Sequence, residues 1–384
     1  MNIPRKLSIS NIPTPIHSLQ EINLDTNWST LYIKRDDYSG FETSGNKIRK
    51  LEYHFCEAME LGANIIITCG GLQSNHARAV ASLSARFSLG CHLVLKEATA
   101  PPDGNYLFNL LFGAKIKLVT NEEYVNNRTE VMYDLGENYK QAGYIPYIIP
   151  EGGSDGLGMF GYYNAYIEIL CQERELGINF DAICVADGSG GTYAGLYAAN
   201  EIICGKKARL RAHFVQTNLL TGKKAHLRAH FVQTNLLTGK KTDLPPFLSD
   251  RLQKNCKSNF PIYKKIVGFN VYSNDCVSAR KKIKHILDKG IALANISHAV
   301  DDDNIYQNFD YLGSGYGEVY PELIEFIHNA AKSTGIIFDP VYTGKALLGT
   351  VSEIKKNNPL LKGNVLFIHT GGQFGIFPRK ELFL

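Results

Sequence analysis

Among the eight cysteines of this chain (Cys56, Cys69, Cys91, Cys171, Cys184, Cys204, Cys256 and Cys276), no two stand in a CxxC pair, and most have apolar neighbours. That absence excludes a zinc ribbon and argues against a disulfide framework, so a reducing compartment is expected. Long apolar runs are missing as well: nothing approaches the roughly 18 residues that a membrane span requires. The opening residues MNIPRKLSISNIPTPI contain no apolar signal core, and the expected location is the cytoplasm. Charge of one sign is scarce. The net charge is +4, yet residues 205–241 hold nine Lys/Arg and no Asp/Glu, which leaves the body of the protein slightly acidic. No nucleic-acid or membrane partner is expected for such a body.

What is present is an ordinary globular composition, 44% hydrophobic and 20% charged, with 35 Gly among 384 residues. It excludes disordered, collagen-like and coiled-coil chains, and the length predicts about two domains. Apolar segments of strand length alternate with helical patterns. Residues 31–33 form a short predicted strand, and from Lys47 onward Ile48, Leu51, Phe55 and Met59 recur at helical spacing until Leu61-Gly62 closes the run. Residues 65–68 read as a buried strand, and Ser74 as the N-cap of a helix carrying Val80, Leu83 and Phe87. Further strands are predicted at 92–95, 115–119 and 147–149. The alternation resumes with strand 182–186 and helix 193–203, strand 266–271 and helix 278–287, and strand 365–368. Repeated strand–helix units predict an α/β fold with mostly parallel sheets covered by helices. Ligands in such sheets sit at the carboxyl ends of strands. Three predicted strands run into glycine pairs, Gly70-Gly71, Gly190-Gly191 and Gly371-Gly372, which can grip one ligand together.

Residues 206–222 and 223–239 break this order. They are tandem copies, KKARLRAHFVQTNLLTG and KKAHLRAHFVQTNLLTG, differing only at Arg209 and His226. Two copies are too few for a solenoid, which needs at least about three stacking units. Two readings stay open: a recent duplication forming a surface excursion over 206–262, or a basic docking site for an acidic partner. Pro245-Pro246 closes the excursion.

The densest cluster of reactive residues is Lys34-Arg35-Asp36-Asp37 followed by Ser44-Gly45-Asn46-Lys47-Ile48-Arg49-Lys50. A Gly-Asn turn places Lys47 in the first turn of a helix, where the positive helix end, Arg49 and Lys50 are expected to lower its pKa. Such a lysine can act as a Schiff-base nucleophile, though a solvated surface lysine fits the same spacing. Gly70-Gly71-Leu72-Gln73-Ser74-Asn75 follows a strand and opens a helix, so its backbone N–H groups can hold an anion or can simply be capped by Ser74. Gly188-Ser189-Gly190-Gly191-Thr192, between a strand and a helix, reads as a phosphate cradle. It is not a dinucleotide fingerprint, because Tyr193 occupies the third glycine position, and no Gly-Lys-Ser/Thr follows to make it a P-loop. A phosphate cradle, a candidate imine-forming lysine and no dinucleotide signature together point to pyridoxal phosphate chemistry. Cys69 and Cys184, close to these loops, read as packing residues.

The blocks KRDDYSG, SGNKIRKLE, GGLQSNHARA, IPEGGS, DGSGGTYAGL, GSGYGEV, DPVYTGKALLG and FIHTGG occur in that order. With them the sequence resembles the family of D-cysteine desulfhydrases and 1-aminocyclopropane-1-carboxylate (ACC) deaminases, pyridoxal 5'-phosphate enzymes of the tryptophan-synthase-β-like group (fold type II). The resemblance covers most of the chain outside the tandem copies. The expected architecture is two α/β domains, each an open, mostly parallel twisted sheet flanked by helices, with the cofactor in the crevice between them. Residues 1–50 together with 166–384 form the large cofactor-binding domain in this reading, and 51–165 the inserted small one. The resemblance implies that Lys47 holds the cofactor covalently and shuttles the Cα proton. It implies that Lys50 with Gly188, Ser189, Gly190, Gly191 and Thr192 holds the phosphate, that Asn75 bonds the phenolic oxygen, and that Ser74 meets the substrate carboxylate. Tyr316 and Tyr342 match the tyrosines on the substrate side of the family's pocket. A homodimer acting on a small amino acid is implied as well, and no metal.

Two positions separate the reactions within the family. The deaminases typically carry a glutamate after the pocket tyrosine, where this chain has Thr343, and glutamine where it has His76. A neutral hydroxyl near the pyridine nitrogen, from Thr343 or Thr370, suits elimination of a good leaving group such as thiolate. The resemblance therefore implies a carbon–sulfur lyase that converts D-cysteine to pyruvate, hydrogen sulfide and ammonia. ACC deamination, and a catalytically silent relative whose basic copies bind an acidic partner, are the alternatives. Ser44 replaces the family's usual glycine, which is expected to narrow the site beside Lys47, and Gln373-Phe374-Gly375 replaces the usual continuation of the C-terminal block.

Overall fold

The computed structural model describes residues 2–97, 102–204, 262–296 and 304–384; the tandem copies and Pro245-Pro246 lie outside them. In chain order the strands are β1 (Ile16–Ser18), β2 (Ser29–Lys34), β3 (Ile65–Gly71), β4 (Gly90–Lys96), β5 (Lys115–Val119), β6 (Pro146–Ile148), β7 (Ala182–Asp187), β8 (Lys265–Asn270), β9 (Tyr306–Asn308) and β10 (Gly363–Ile368). They form a six-stranded sheet, ordered β1-β2-β10-β7-β8-β9, and a four-stranded sheet, ordered β5-β4-β3-β6. Only β1 against β2 is antiparallel; every other pair runs parallel. The helices are α1 (Asn46–Glu60), α2 (Asn75–Arg86), α3 (Gly104–Leu111), α4 (Asn121–Gln141), α5 (Phe160–Leu176), α6 (Gly191–Cys204), α7 (Cys276–Leu293), α8 (Pro321–Thr334) and α9 (Thr343–Lys355). The fold is α/β, two mostly parallel sheets flanked by helices, as the alternation predicts. No described helix is long and apolar enough to cross a membrane.

The elements follow from their residues. Every side chain of β7 (AICVAD) is buried, which is what a central parallel strand covered on both faces requires. The strand predicted at 31–33 lengthens to Ser29–Lys34 because it pairs with β10 from Gly363↔Ser29 to Ile368↔Lys34. Ser74 caps α2, its hydroxyl accepting from Ala77 N at 3.2 Å. In α1, Ile48, Leu51 and Phe55 are buried, whereas Met59 is 47% exposed where the last turn leaves the core. The 21-residue α4 shows little apolar periodicity, burying only Tyr124, Met132 and Gly136. Its start is nevertheless written in a capping box, Thr120 with Glu123.

A buried ionic cluster fixes the start of α1 to the large sheet. Lys34 Nζ meets Glu168 Oε1 at 2.6 Å, and Arg49 bridges Asp36 and Glu168 at 2.8 Å each. Tyr162 and Thr14 also donate to Asp36. Burial lowers the Lys34 pKa, while Asp36 and Glu168 hold the Arg49 guanidinium well above its ordinary value despite burial. Removing one member of such a cluster strands the others without a counter-charge.

Candidate active site

An open crevice of about 400 Å³ lies at the carboxyl ends of β7 and β10, against the start of α1 and α2. Of the residues chosen from sequence, it brings together Lys47, Asn75, Gly188, Ser189, Gly190, Thr192, Tyr342 and Thr370. The lining also includes Asn46, Ala186, Asp187 and Gly371. Gly45, with φ 101°, lets the Lys47 turn close on β10: a Cβ there would stand 2.4 Å from the Thr370 carbonyl oxygen, which accepts instead from Asn46 N at 3.0 Å. No L-side chain fits that position without backbone movement.

Lys47 has no hydrogen-bond or ion-pair partner among the described residues, and its pKa is lowered to about 8. The cause is burial, to which the charge of Lys282 on α7 adds; Glu151 and Asp187 oppose it. Arg49, an expected contributor, faces Asp36 and Glu168 instead. Lys50 lies outside the lining, fully buried, and reaches the glycine loop through a relay. Its Nζ donates to Ser154 Oγ at 2.9 Å, which pairs with Ser189 Oγ at 2.6 Å. Burial and the nearby Lys47 charge push the Lys50 pKa well down. Gly190, at φ 87°, turns the loop into α6, and Gly191 packs so close to Ser154 that a Cβ would be 2.7 Å from its Oγ. Thr192 Oγ1 accepts from Asn46 Nδ2 at 2.8 Å, tying the loop to the Lys47 turn.

On the opposite wall, Asn75 Oδ1 accepts from Asn105 Nδ2 at 2.9 Å, which leaves the Asn75 amide nitrogen as a donor. Asn105 is gripped by Arg78 Nη1 at 3.0 Å, and Arg78 Nη2 donates to the Ser44 carbonyl at 2.9 Å. Ser44 is not among the lining residues, and its hydroxyl lies 3.3 Å from Arg78 Nη2; the expected narrowing beside Lys47 is not seen. Arg78 is fully buried, stands 4.7 Å over the Phe374 ring, and has its pKa lowered to about 9 by burial. Thus the departure at Phe374 supplies the face on which a buried guanidinium rests.

The remaining sequence choices stand around the crevice rather than on its lining. Ser74 serves as helix cap. The hydroxyls of Tyr316 and Tyr342 are hydrogen-bonded to each other. Desolvation of the hydroxyl pair raises both pKa values above the ordinary tyrosine range, although the Tyr316 residue as a whole remains 44% exposed. The loop carrying Tyr316 is pinned by Lys345 Nζ on the Leu312 carbonyl and Arg379 on that of Gly317. Thr343 is fully buried, and its hydroxyl donates to Asp339 Oδ1 at 2.7 Å. His76 is buried against Thr68, whose own proton goes to the Ile149 carbonyl, so Nε2 donates and Nδ1 is left without a partner. Neither residue that separates the family's reactions therefore lines the crevice. Cys69 and Cys184 are buried thiols pushed up to about 12, inert as nucleophiles.

These residues fit pyridoxal phosphate. Two buried lysines without a carboxylate in contact, Lys47 and Lys50, adjoin a glycine loop opening a helix, an arrangement short of one anion. Asp187, Lys282, Glu151 and Arg78 were not found from sequence as site residues. Asp187 stands inside the glycine motif itself, whereas the other three come together only through tertiary packing.

Comparison with known proteins agrees. Residues 7–283 match the family model "Pyridoxal-phosphate dependent enzyme". A bifunctional D-cysteine desulfhydrase/ACC deaminase of Arabidopsis thaliana is 34% identical, over 97% of this chain and 80% of its own. A D-cysteine desulfhydrase of Serratia proteamaculans is 29% identical over 98% of both chains. Among solved structures, an ACC deaminase homologue superimposes with a TM-score of 0.74 at 28% identity, covering 99% of this chain and 95% of that one. The chain belongs to the pyridoxal-phosphate-dependent enzymes, in the family of the D-cysteine desulfhydrases and ACC deaminases.

Proposed function

We propose that this enzyme eliminates the β-substituent of a small amino acid, converting D-cysteine and water to pyruvate, hydrogen sulfide and ammonia. The observation that carries this reading is an unpartnered Lys47, at about pKa 8, on the same crevice lining as Tyr342, whose hydroxyl is paired with that of Tyr316, outside the lining. The choice of D-cysteine over ACC rests on the resemblance: the deaminases typically carry a glutamate after the pocket tyrosine, where this chain has Thr343.

Lys50, through Ser154 and Ser189, and the N-terminus of α6 would hold the cofactor's phosphate. Asn75 would donate to its phenolic oxygen. When bound, pyridoxal phosphate supplies an electron sink that stabilises negative charge at Cα. Lys47 is the base in this scheme: near pH 8 about half of its amines are neutral and can take the Cα proton. Tyr316, protonated throughout the physiological range, is the donor that delivers a proton to the departing sulfur, and Tyr342 orients it. A positioned acid or base of this kind contributes on the order of 10²–10⁴-fold.

ACC deamination is the second reading, favoured by the likeness to the ACC deaminase homologue. The test is to load the purified enzyme with pyridoxal phosphate and add D-cysteine or ACC, measuring pyruvate and sulfide for the first and 2-oxobutanoate for the second. Sulfide and pyruvate in equal amounts support the lyase. Turnover of ACC alone overturns it.

A further inference from the structure

Asn105 stands in the first turn of α3, fully buried, and each polar atom of its side chain meets a partner. Oδ1 faces Arg78 Nη1 at 3.0 Å, and a guanidinium can only donate. Nδ2 faces the Gln73 carbonyl oxygen at 2.9 Å, which can only accept. The amide therefore has one permitted orientation, and its second N–H goes to Asn75 Oδ1 at 2.9 Å. The Asn105 backbone N–H is spent on Gln73 Oε1 at 2.9 Å, while Gln73 Nε2 donates to the Asp103 carbonyl at 2.9 Å. This helix start has little room to shift: a Cβ on Gly104 would stand 2.8 Å from both Gln73 Oε1 and the Phe374 carbonyl oxygen.

Arg78 anchors the line from the other end. It is fully buried on α2, has no carboxylate at ion-pair distance among the described residues, and lies over the Phe374 ring. Its second terminal nitrogen holds the Ser44 carbonyl at 2.9 Å, just ahead of the turn that carries Lys47. One guanidinium thus joins the Lys47 turn to the wall that carries Asn75. Polarity passes along this line without a free choice. Asn75 Oδ1 is occupied by Asn105, so the Asn75 amide offers the crevice its N–H groups. A phenolic oxygen opposite an N–H donor is stabilised as the phenolate; opposite a carbonyl oxygen it is stabilised as the neutral phenol, with its own proton donating.

We propose that Arg78 and Asn105 form a relay that fixes the polarity of the Asn75 amide, so that the cofactor's phenolic oxygen meets a donor and is held ionised. Both are positioning residues that act through Asn75. The inference rests on the reading of Asn75 as the partner of that oxygen.

The test reads the absorption of the bound cofactor, whose ionised phenol absorbs in the visible and whose neutral phenol absorbs in the near ultraviolet. Asn105→Asp keeps the shape and gives Arg78 a carboxylate, which stays ionised beside it. An acceptor then faces Asn75, whose amide turns to donate to it and shows Oδ1 to the crevice. The ratio of visible to near-ultraviolet absorbance is expected to fall about tenfold or more from the wild type. It is expected to fall further than in Asn75→Ala, which removes the donor without supplying an acceptor; loosening of the site alone does not go past removal. In an Asn75→Ala background, Asn105→Asp should change the ratio no further. A ratio in Asn105→Asp no lower than in Asn75→Ala, or the same fall with Asn75 absent, overturns the relay and leaves Asn75 as the partner of the oxygen. An unchanged ratio in Asn75→Ala overturns both. If Asn105→Asp does not hold cofactor, Asn105→Ala takes its place: the released Asn75 amide turns freely and the ratio settles between wild type and Asn75→Ala, whereas a wild-type ratio there overturns the proposal.

Discussion

Two pairs of buried cations meet at helix α1, and the fold treats them in opposite ways. Lys34 and Arg49 are matched by Glu168 and Asp36 at 2.6–2.8 Å. Lys47 and Lys50, one residue to either side of Ile48-Arg49, have no carboxylate at ion-pair distance among the described residues; Lys50 reaches only hydroxyl and carbonyl oxygens, and Lys47 reaches none. The consequence shows in their protonation: Arg49 is held well above its ordinary value, whereas Lys47 falls to about 8 and Lys50 is pushed well down. A complete ion cluster is scaffold. A cation pair left short of negative charge is a candidate site, proposed here for a phosphorylated cofactor.

The comparison breaks most visibly at Lys47. Lys47→Ala is expected to lose the visible band of the lysine-held cofactor and to lower turnover by roughly 10³-fold or more, with little change in the denaturation midpoint of the cofactor-free protein. Arg49→Ala should do the reverse. By stranding Asp36 and Glu168 it costs about 3–5 kcal/mol of folding stability, measurable by urea denaturation. Lys50→Met sharpens the contrast, because it removes a buried cation that has no anion: cofactor affinity falls roughly 10- to 100-fold in absorbance titrations, while the cofactor-free protein unfolds no more easily. The smallest effect concerns pH. In the proposed role of Lys47, only its neutral amine bonds the cofactor, so the rate of incorporation is expected to rise with pH through a midpoint near 8. The Lys282 charge depresses that pKa, and Lys282→Ala should therefore move the midpoint upward.

Sequence showed the parts of this site that are local. Gly45-Asn46-Lys47 and the loop 188–192 carry their chemistry in adjacent residues, and strand–helix alternation places both at strand or helix ends. Arg49 and Lys50 are equally local, yet sequence could not tell which of the two cations had anions: Glu168 comes from α5, more than a hundred residues away. The same limit hid Glu151, Lys282 and Arg78, whose meaning depends on Tyr124, Tyr272 and Phe374 across the fold. Thr343 and His76 show the converse. Each stands at a telling place in the motif, but the Thr343 hydroxyl goes to Asp339 and His76 Nε2 to Thr68, and neither residue lines the crevice. Met59 fits the apolar period of α1 and still lies exposed, because the period says which face is apolar and not where the core ends.

The most direct test of the central contrast is to titrate the cofactor-free enzyme with pyridoxal phosphate and with unphosphorylated pyridoxal at pH 8, following the visible band, in the wild type and in Lys50→Met. Preference for the phosphorylated form in the wild type by roughly a hundredfold, shrinking sharply in Lys50→Met, is the expected result. Equal affinity for the two aldehydes in the wild type would contradict the account, because the uncompensated lysines would then serve something other than a phosphate.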